Sequence, residues 1–418
     1  MGLLDKCYNV LTLGTSLALF APFAVSARGR VRLLERYGLW RVRTPKPVLW
    51  FHAASVGEVN GLLPLLKAVR EKYSGNALLL SATSPEGLSK GEQSVDFARL
   101  LPFDSRLWYR CAARGLNFEM CLISETEIWP AMLAVLKEKG IPTVLVNARL
   151  SDYSWNKYRR LRPLTKRLFQ EISLVCAVDQ VSAERFLALG VPSQRVRICG
   201  NSKYDTSPRY ALSDKPARKR KYFNNDFPVL TLGSLRSGEE TTWFPAIARA
   251  KAEGLNFNVA IAPRHLTRLS YFEEKLRAFQ ISFCKAPVGA DCGVLLMDRF
   301  GALEELYSIS DLAFVGGTLV DWGGHNPLEP AMYGVGVLFG PYTSKISEIR
   351  VALESRGGCG PLTDNESAYQ YILKLCDEST TSQMGQAAFS VFNEFSGATN
   401  RIVEALDGLG NSLPRSQT

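Results

Sequence analysis

The chain has 418 residues, of which 46% are hydrophobic and 22% are charged. This composition excludes a disordered chain, and the length predicts two domains. The net charge of +10 predicts an anionic partner: nucleic acid, a phospholipid surface or a phosphorylated substrate. The sequence contains none of the usual DNA- or RNA-binding modules, so we expect no nucleic-acid partner. Nine scattered cysteines indicate neither a disulfide framework nor a zinc site, which fits a reducing compartment.

The amino-terminal segment 8–25, YNVLTLGTSLALFAPFAV, carries no charged residue and is followed by arginines up to Arg36. It is about as long as the shortest membrane span. A cleaved signal peptide is the alternative, because Val25-Ser26-Ala27 resembles a cleavage site. The arginines after the segment favour an uncleaved anchor, residues 1–27, with the rest of the chain in the cytoplasm. The anchor either spans the membrane or lies shallowly in one leaflet.

After the anchor, apolar runs typical of strands alternate with helical patterns. In the first half these runs cover residues 48–51, 77–80, 120–123, 143–146 and 174–178. In the second half they cover residues 228–233, 257–262, 293–297, 312–317 and 336–340. The alternation predicts two parallel, doubly wound, Rossmann-like α/β domains, residues 28–212 and 228–418. The basic stretch 213–227 between them is predicted to be a linker.

Unusual polar residues concentrate directly after the predicted strands, where ligands bind in wound sheets. In the first half these loops are SETEIWP (124–130), NARLS (147–151) and GNSKYD (200–205). In the second half they are GSLRSGEE (233–240), PRH (263–265) and GGTLVDWGGHNPLEP (316–330). If the two sheets face one another, these loops line one interdomain cleft. That arrangement is the GT-B type of glycosyltransferase fold, which we expect here.

The segment FHAASVGEVNGLLPLL, residues 51–66, places His52 and Glu58 between a strand and an amphipathic helix. The positive end of the helix favours an ionised carboxylate there, as a general base requires. The simpler interpretation is that Glu58 only complements the helix dipole. Pro64 either kinks this helix or marks its first turn, which would leave Glu58 in the loop.

The glycine-rich segment 315–331 is the strongest single signal for a binding site. Its glycines allow close backbone approach to a ligand, and Asn326 is placed to cap a helix that has Pro327 at its first position. Such a helix start binds anions, and Glu329 in its first turn is placed to accept hydrogen bonds from ribose hydroxyls. Arg264 suits phosphate pairing, with an ordinary surface arginine as the alternative. All three histidines, His52, His265 and His325, fall in such loops, which favours a functional site.

Three further features concern chemistry and membranes. Glu125 and Glu127 point to opposite faces if the chain is extended there, so only one aims easily at a given substrate. Lys203 is placed to neutralise charge on a leaving phosphate, with a solvated lysine as the alternative. No Asp-x-Asp pair occurs, so we expect no metal site and no cofactor. The basic amphipathic stretch 154–169 predicts a helix with a solvated cationic face, or one that docks on anionic lipid.

Taken in order, these motifs resemble the bacterial 3-deoxy-D-manno-octulosonic acid (Kdo) transferases of lipopolysaccharide synthesis. The resemblance extends to about residue 350 and rests on RYG (36–38), FHAASVGE, SETEIWP, NARLS, GNSKYD, APRH and AFVGGTLVDWGGHNPLEPA. It implies an inverting GT-B enzyme at the cytoplasmic side of the inner membrane. The donor would be CMP-β-Kdo, and the acceptor would be a hydroxyl of the tetraacylated, bis-phosphorylated lipid A precursor.

The resemblance also implies roles for individual residues. Glu58 would be the general base, and Glu127 and Lys203 would stabilise the transition state. The CMP-binding residues would be Pro263, Arg264, Phe300, Gly301, Ala302, Asn326, Pro327, Leu328 and Glu329.

The sequence departs from the family pattern at two places. Ala302 stands where the family usually has glutamate, which removes a side-chain contact but leaves a backbone contact possible. Ser344-Lys345-Ile346 stands where the family tends to have Asn-Phe. The alternatives are another GT-B transferase or a sugar-nucleotide epimerase, and a membrane-tethered nucleotide-binding protein without catalysis. The intact Glu58, Glu127 and Lys203 speak against the last.

Overall fold

The computed structural model describes residues 3–27, 29–205, 208–285 and 293–412. It divides the chain into two compact units. The first unit contains Met1–Asp205 together with Phe395–Thr418, and the second contains Thr206–Glu394. The carboxyl-terminal segment therefore belongs to the first unit, whereas the sequence placed it in the second domain.

The first unit is built on a seven-stranded parallel sheet of order β3-β2-β1-β4-β5-β6-β7. Its strands are β1 (Val48–Ala53), β2 (Ala77–Ala82), β3 (Phe97–Leu100), β4 (Phe118–Ser124), β5 (Thr143–Ala148), β6 (Leu174–Ala177) and β7 (Val196–Ile198). Its helices are α1 (Leu3–Ala18), α2 (Phe20–Val25), α3 (Val56–Lys72), α4 (Pro85–Gly91), α5 (Arg106–Ala112), α6 (Pro130–Glu138), α7 (Asp152–Arg160), α8 (Arg162–Gln170), α9 (Gln180–Ala188) and, from the end of the chain, α18 (Ala398–Ser412). The strand order reverses between β1 and β4, so this unit has a topological switch point there.

The second unit is built on another seven-stranded parallel sheet, of order β10-β11-β9-β8-β12-β13-β14. Its strands are β8 (Val229–Leu235), β9 (Asn258–Pro263), β10 (Cys284–Lys285), β11 (Val294–Leu296), β12 (Leu312–Val315), β13 (Gly336–Phe339) and β14 (Cys359–Pro361). Its helices are α10 (Lys215–Arg220), α11 (Glu240–Ala252), α12 (Leu269–Ala278), α13 (Leu303–Tyr307), α14 (Leu328–Ala331), α15 (Ser347–Arg356), α16 (Asn365–Leu375) and α17 (Glu378–Phe395). The switch point lies between β8 and β12.

Each sheet is covered by helices on both faces, so its strands are apolar throughout rather than alternating. All six residues of β1 are buried, and Trp50 pairs in register with Leu79 of β2 and Cys121 of β4. In the second unit all seven residues of β8 are buried. The two predicted parallel α/β domains are therefore confirmed.

The stretch 213–227 is not the linker that the sequence predicted. It contains α10, whose Lys215 pairs with Asp311 at 2.8 Å, and it is followed by Tyr222 and Phe223, which are fully buried. Burial of two aromatic side chains stabilises the fold of the second unit, so this segment is part of its core.

Helix α18 returns to the first unit and packs on α3. Ile402, Val403 and Leu406 are buried in the same core as the apolar face of α3. Tyr73 donates a hydrogen bond to Asp407 at 2.8 Å, and Arg401 donates one to the carbonyl oxygen of Cys199 at 2.8 Å. These contacts explain why the last helix belongs with the first sheet.

Helices α1 and α2 contain one segment, Lys6–Val25, that is long and apolar enough to cross a membrane by length and composition. Its polar side chains contact the first unit. Tyr8 donates a hydrogen bond to Asp104 at 2.5 Å, and Trp108 donates one to the Ser16 hydroxyl at 2.9 Å. On other sides of the segment Val10 is 72% exposed. The segment thus combines docking contacts with an exposed apolar surface.

The basic stretch 154–169 forms two short helices, α7 and α8, instead of one. Trp155, Tyr158, Leu168 and Phe169 pack on the core of the first unit, while Lys157 and its arginine neighbours are exposed. The predicted solvated cationic face is present.

Candidate active site

Glu58 lies in the first turn of α3, after the small-residue turn that follows β1. Ser55 caps this helix, and its hydroxyl oxygen accepts a hydrogen bond from the Glu58 amide at 3.2 Å. The Glu58 carboxylate in turn accepts from the Ser55 hydroxyl and from the Ala54 amide, both at 2.9 Å. This reciprocal arrangement resembles a capping box, except that Glu58 accepts from the Ala54 amide and the Ser55 hydroxyl instead of the Ser55 amide. The helix continues past Pro64, so Glu58 lies in the helix and not in the preceding loop.

The carboxyl group of Glu58 keeps the capacity for a further hydrogen bond, because each carboxylate oxygen has two lone pairs. Its side chain is partly exposed at the carboxyl end of β1. Glu58 can therefore stabilise the start of α3 and also act as a general base.

Two further glutamates approach Glu58 from the loop after β4. Burial raises the pKa of Glu127, and the charge of Glu58 raises it further. The same two causes, in the same order, raise the pKa of Glu125, while Lys203 and Arg149 act in the opposite direction. Glu125 has a φ of 55°, so the chain turns here and is not extended. The extended geometry on which the expectation of opposite faces depended is therefore absent.

Lys203 lies in a short 3₁₀ turn, Ser202–Tyr204, that a buried hydrogen-bond network holds against α3. The Asn147 side chain accepts from the Ser202 amide at 2.8 Å and donates to the Ser202 hydroxyl at 2.9 Å. The Ser202 hydroxyl donates to the carbonyl oxygen of Gly61 at 2.7 Å. Lys203 itself is exposed. Sequence reasoning noted the two loops but missed Asn147 and Ser202 as the residues that join them.

His52 lies inside β1 rather than in the loop after it. It is fully buried, and its Nδ1 lies 3.0 Å from the Ser81 hydroxyl oxygen. Burial lowers the pKa of His52 to about 4, so the ring is neutral. The grouping of all three histidines at strand-end loops is therefore wrong for His52, which is a core residue.

In the second unit the predicted CMP residues fall into two groups. The first group lines a cavity of about 130 Å³ at the carboxyl ends of β8, β9 and β11, and includes Pro263, Arg264, Phe300 and Gly301. Phe300 is 79% exposed at its edge. Ala302, by contrast, is 5% exposed and packs in the apolar core beneath this cavity.

The second group lies after β12. The Asn326 side chain accepts a hydrogen bond from the Leu328 amide at 3.0 Å and so caps the turn, as predicted. Pro327 directly precedes α14, which is only four residues long and contributes little dipole. The predicted helix start is present, but its helix is too short to make an anion site by itself.

Glu329 is the carboxyl group among the predicted CMP residues, and its pKa is strongly shifted. Burial raises the pKa of Glu329 to about 7, and the neighbouring Glu304 acts in the same direction. The positive charge of Arg264 partly offsets this increase. Arg264 therefore links the two groups of predicted residues, since it lines the cavity and also acts on Glu329.

A buried carboxyl group holds the glycine-rich loop. Glu239 accepts hydrogen bonds from the amide of Arg236 at 2.8 Å and from the amides of Thr318 and Leu319, both at 3.0 Å. Burial raises the pKa of Glu239, while these backbone amides act in the opposite direction. The loops after β8 and β12 are thereby fixed to one another. Sequence reasoning quoted GSLRSGEE but assigned no role to Glu239 or Arg236.

Two wound parallel sheets with polar loops at their switch points define the class of protein. Solved structures with this fold include MurG from Acinetobacter baumannii, which is 14% identical with a TM-score of 0.54 over 87% of this chain and 100% of that one. Another is the UDP-GlcNAc 2-epimerase from Neisseria meningitidis, which is 15% identical with a TM-score of 0.57 over 87% and 100%. The chain has the GT-B fold.

Sequence relatives define the family more narrowly. Residues 31–206 match the 3-deoxy-D-manno-octulosonic-acid transferase (kdotransferase) family. The 3-deoxy-D-manno-octulosonic acid transferase of Haemophilus influenzae is 31% identical over 395 residues, which cover 91% of this chain and 92% of the relative. That of Aquifex aeolicus is 31% identical over 75% of this chain and 81% of the relative. The chain belongs to the Kdo transferase family and is a glycosyltransferase.

Proposed function

We propose that the protein transfers Kdo from CMP-β-Kdo to a hydroxyl of the lipid A precursor, with inversion at the anomeric carbon. The observation that carries this proposal is that, at the strand ends of the first unit, Glu58 lies close enough to Glu125 and Glu127, and Lys203 close enough to Glu125, for their charges to shift the pKa values of these carboxyl groups. A base, a second carboxyl group and a cation are what direct displacement of a phosphate needs, without a covalent intermediate.

In this mechanism Glu58 takes the proton of the acceptor hydroxyl. The hydroxyl oxygen forms a bond to the anomeric carbon of Kdo from one face, while the bond from that carbon to the phosphate oxygen breaks on the other. The electron pair leaves with CMP. Lys203 offsets negative charge that develops during transfer, and Glu127, whose pKa is raised by burial and by the charge of Glu58, stabilises the transition state in the same region.

The donor is held by the second unit. Arg264 pairs the phosphate, and Glu329 accepts hydrogen bonds from the ribose hydroxyls. Pro263, Phe300 and Gly301 surround the remainder of the nucleotide through the cavity that they line. Ala302 contributes only its backbone, since its side chain is in the core. Asn326, Pro327 and Leu328 form the turn that presents Glu329.

The acceptor is an anionic lipid, and two features of the first unit suit it. Helices α7 and α8 carry exposed cations, and Tyr158 of α7 lies close enough to Glu127 for that charge to raise its pKa. The segment Lys6–Val25 offers exposed apolar side chains such as Val10 and Val25. We place the enzyme on the cytoplasmic face of the inner membrane.

We further propose that the segment lies along the membrane surface and does not span it. Tyr8, Asn9 and Ser16 all make hydrogen bonds to the first unit, and a helix that crosses the bilayer could not keep contacts so widely spaced. Deletion of residues 1–27 should therefore release the protein from membranes without detergent and leave Kdo transfer to dispersed acceptor. Persistence of the full-length protein in the membrane pellet after alkaline carbonate washing would contradict a surface location.

Incubation of the purified full chain with CMP-Kdo and the lipid A precursor tests the proposed activity. We expect acceptor-dependent release of CMP and a product heavier by one or more Kdo residues. Release of CMP without an acceptor product would instead favour hydrolysis. Binding of CMP with no turnover of the donor would favour the non-catalytic alternative, and conversion of a sugar nucleotide into its epimer would favour an epimerase.

A further inference from the structure

Several cationic side chains converge beside the glycine-rich loop, and the assigned CMP residues account for only one of them. The guanidinium of Arg236, after β8, stacks over the Trp322 ring at 3.7 Å from its centroid. Lys345, after β13, lies over the same ring at 4.5 Å. The Nε atom of Arg236 is 3.5 Å from the Nε2 atom of His325. We call Arg236, Trp322, His325 and Lys345 the cation cluster.

Positive charge is concentrated in and beside this cluster. Burial and the charges of Arg264, Arg236 and Lys345 together lower the pKa of His325 to about 4, and burial is the largest cause. The histidine is therefore neutral beside three permanent cations. Among the ion pairs formed by the described residues of the second unit, none includes Arg236, Arg264 or Lys345. The charge of Glu239 acts on Arg236, and Arg264 acts on Glu329, but neither carboxylate forms an ion pair with these cations. The two cations of the cluster, with Arg264 beside them, therefore favour the binding of an anion.

The backbone conformation at Gly323 helps to position Lys345 beside the Trp322 ring. Gly323 has a φ of 94°, and a Cβ atom there would lie 2.8 Å from the Ser344 hydroxyl and 2.9 Å from Cγ of Lys345. The Lys345 amide donates a hydrogen bond to the carbonyl oxygen of Gly323 at 3.0 Å. Only glycine accepts this conformation and this contact without strain. The segment 344–346, where the sequence departs from the family pattern, is thus the one that supplies a cation to the cluster.

The charges are also ordered along the unit. Arg264 lies close enough to Glu329, and also to Arg236 and His325, for its charge to act on the pKa of each. In the proposed donor, ribose is followed by phosphate and then by a sugar acid whose carboxylate sits on the carbon that bears the phosphate. The sequence Glu329, Arg264, cation cluster matches the sequence ribose, phosphate, carboxylate.

We propose that Arg236, with Lys345, binds the carboxylate of the Kdo moiety in the donor and so selects an acidic sugar. Trp322 holds both cations in place through its ring face. The assignment rests on the proposed CMP-Kdo donor. It makes the cation cluster a specificity site that is separate from the nucleotide residues, because CMP-Kdo has a carboxylate that CMP lacks.

The experiment is calorimetric titration of the full chain with CMP and with CMP-Kdo, for the parent, Arg236→Gln and Lys345→Gln. Two matched controls are available in the same unit. Arg249 stacks over Tyr369 at 3.7 Å and Lys374 lies over Tyr371 at 4.8 Å, so Arg249→Gln and Lys374→Gln remove the same charge from similar ring contacts elsewhere. Loss of a charged hydrogen bond in such a site weakens binding by about tenfold or more.

We expect Arg236→Gln to weaken CMP-Kdo by about tenfold or more while CMP changes less than about twofold. Lys345→Gln should show the same pattern with a smaller factor, because the lysine is more exposed, and both controls should bind like the parent. Equal weakening of CMP and CMP-Kdo would place Arg236 on the phosphate and overturn the proposal, as would unchanged binding of both. Retained CMP binding also shows that each variant is folded.

Failure of the proposed function gives a different result. A parent protein that binds CMP-Kdo but transfers no Kdo to the lipid A precursor would refute the proposed reaction, while the binding comparison would still decide the carboxylate site. A parent protein that binds CMP and not CMP-Kdo would refute both.

Discussion

Replacement of Glu329 by glutamine changes one charge at the ribose end of the proposed donor site. The parent carboxyl group has a pKa of about 7 in the free protein, because it is buried and Glu304 lies near it. Ribose hydroxyls donate hydrogen bonds, so CMP binds the ionised form. The ionised form predominates well above pH 7 and is lost as the pH falls through 7. CMP affinity of the parent should therefore decrease on acidification.

The size of this decrease follows from the pKa. If bound CMP returns the pKa of Glu329 to its ordinary value near 4.5, the ionised fraction of the free protein sets the affinity. That fraction falls about tenfold between pH 8 and pH 6, which corresponds to about 1.4 kcal/mol of binding free energy. At pH 8, where the carboxylate is ionised, Glu329→Gln should weaken CMP by about 10–150-fold.

Calorimetric titration of CMP at pH 6, 7 and 8 measures both effects. The ratio of the affinities of parent and Glu329→Gln removes the titration of the CMP phosphate itself, which is common to both. This ratio should shrink by about tenfold from pH 8 to pH 6. Glu304→Gln provides a second check, since loss of its charge should move the midpoint to lower pH. A ratio that does not change with pH, or Glu329→Gln that binds CMP like the parent, would refute the assignment of Glu329 to the ribose.

Two further predictions concern the first unit. Glu58→Gln should reduce turnover by about 100-fold or more with CMP affinity unchanged, whereas Ser55→Ala, which removes the capping hydroxyl and keeps the carboxyl group, should cost about 1 kcal/mol of stability and leave most of the turnover. Near-normal turnover of Glu58→Gln would leave the residue only its capping role. Asn147→Gly removes the amide that holds the Lys203 turn but tolerates the φ of 51° at this position, so kcat should fall by about tenfold while CMP affinity stays the same. An unchanged kcat with a lower melting temperature would show that Asn147 serves stability alone.

The strand pattern of this chain could be predicted from local sequence because buried parallel strands are continuous apolar runs. All ten predicted runs correspond to strands in the structure, from Val48–Ala53 to Gly336–Phe339. Four short strands lie outside these runs: Phe97–Leu100, Val196–Ile198, Cys284–Lys285 and Cys359–Pro361. They are edge or near-edge strands of two to four residues, too short for a periodic signal. Loops after strands were identified because parallel strands place their carboxyl ends together.

Predictions from the local sequence were wrong where the burial of a residue depends on contacts with distant parts of the chain. His52 reads as a loop residue, yet β1 extends to Ala53 because β2 and β4 pair with it on both sides. The basic stretch 213–227 reads as a linker, yet Tyr222 and Phe223 fill the core of the second unit. The helix Ala398–Ser412 returns to the first unit because its apolar face fits α3.

The sequence by itself determined the βα alternation, the apolar amino-terminal segment and the loops that carry Glu58, Arg264 and Glu329. Only the tertiary structure decided what these side chains contact. The network from Asn147 through Ser202 to Gly61 joins residues up to 141 positions apart, and the cation cluster joins the loops after three different strands. Hydrogen bonds and charge interactions act through space within a few ångströms, and strand order, which is set by packing of whole elements, determines which distant residues come that close.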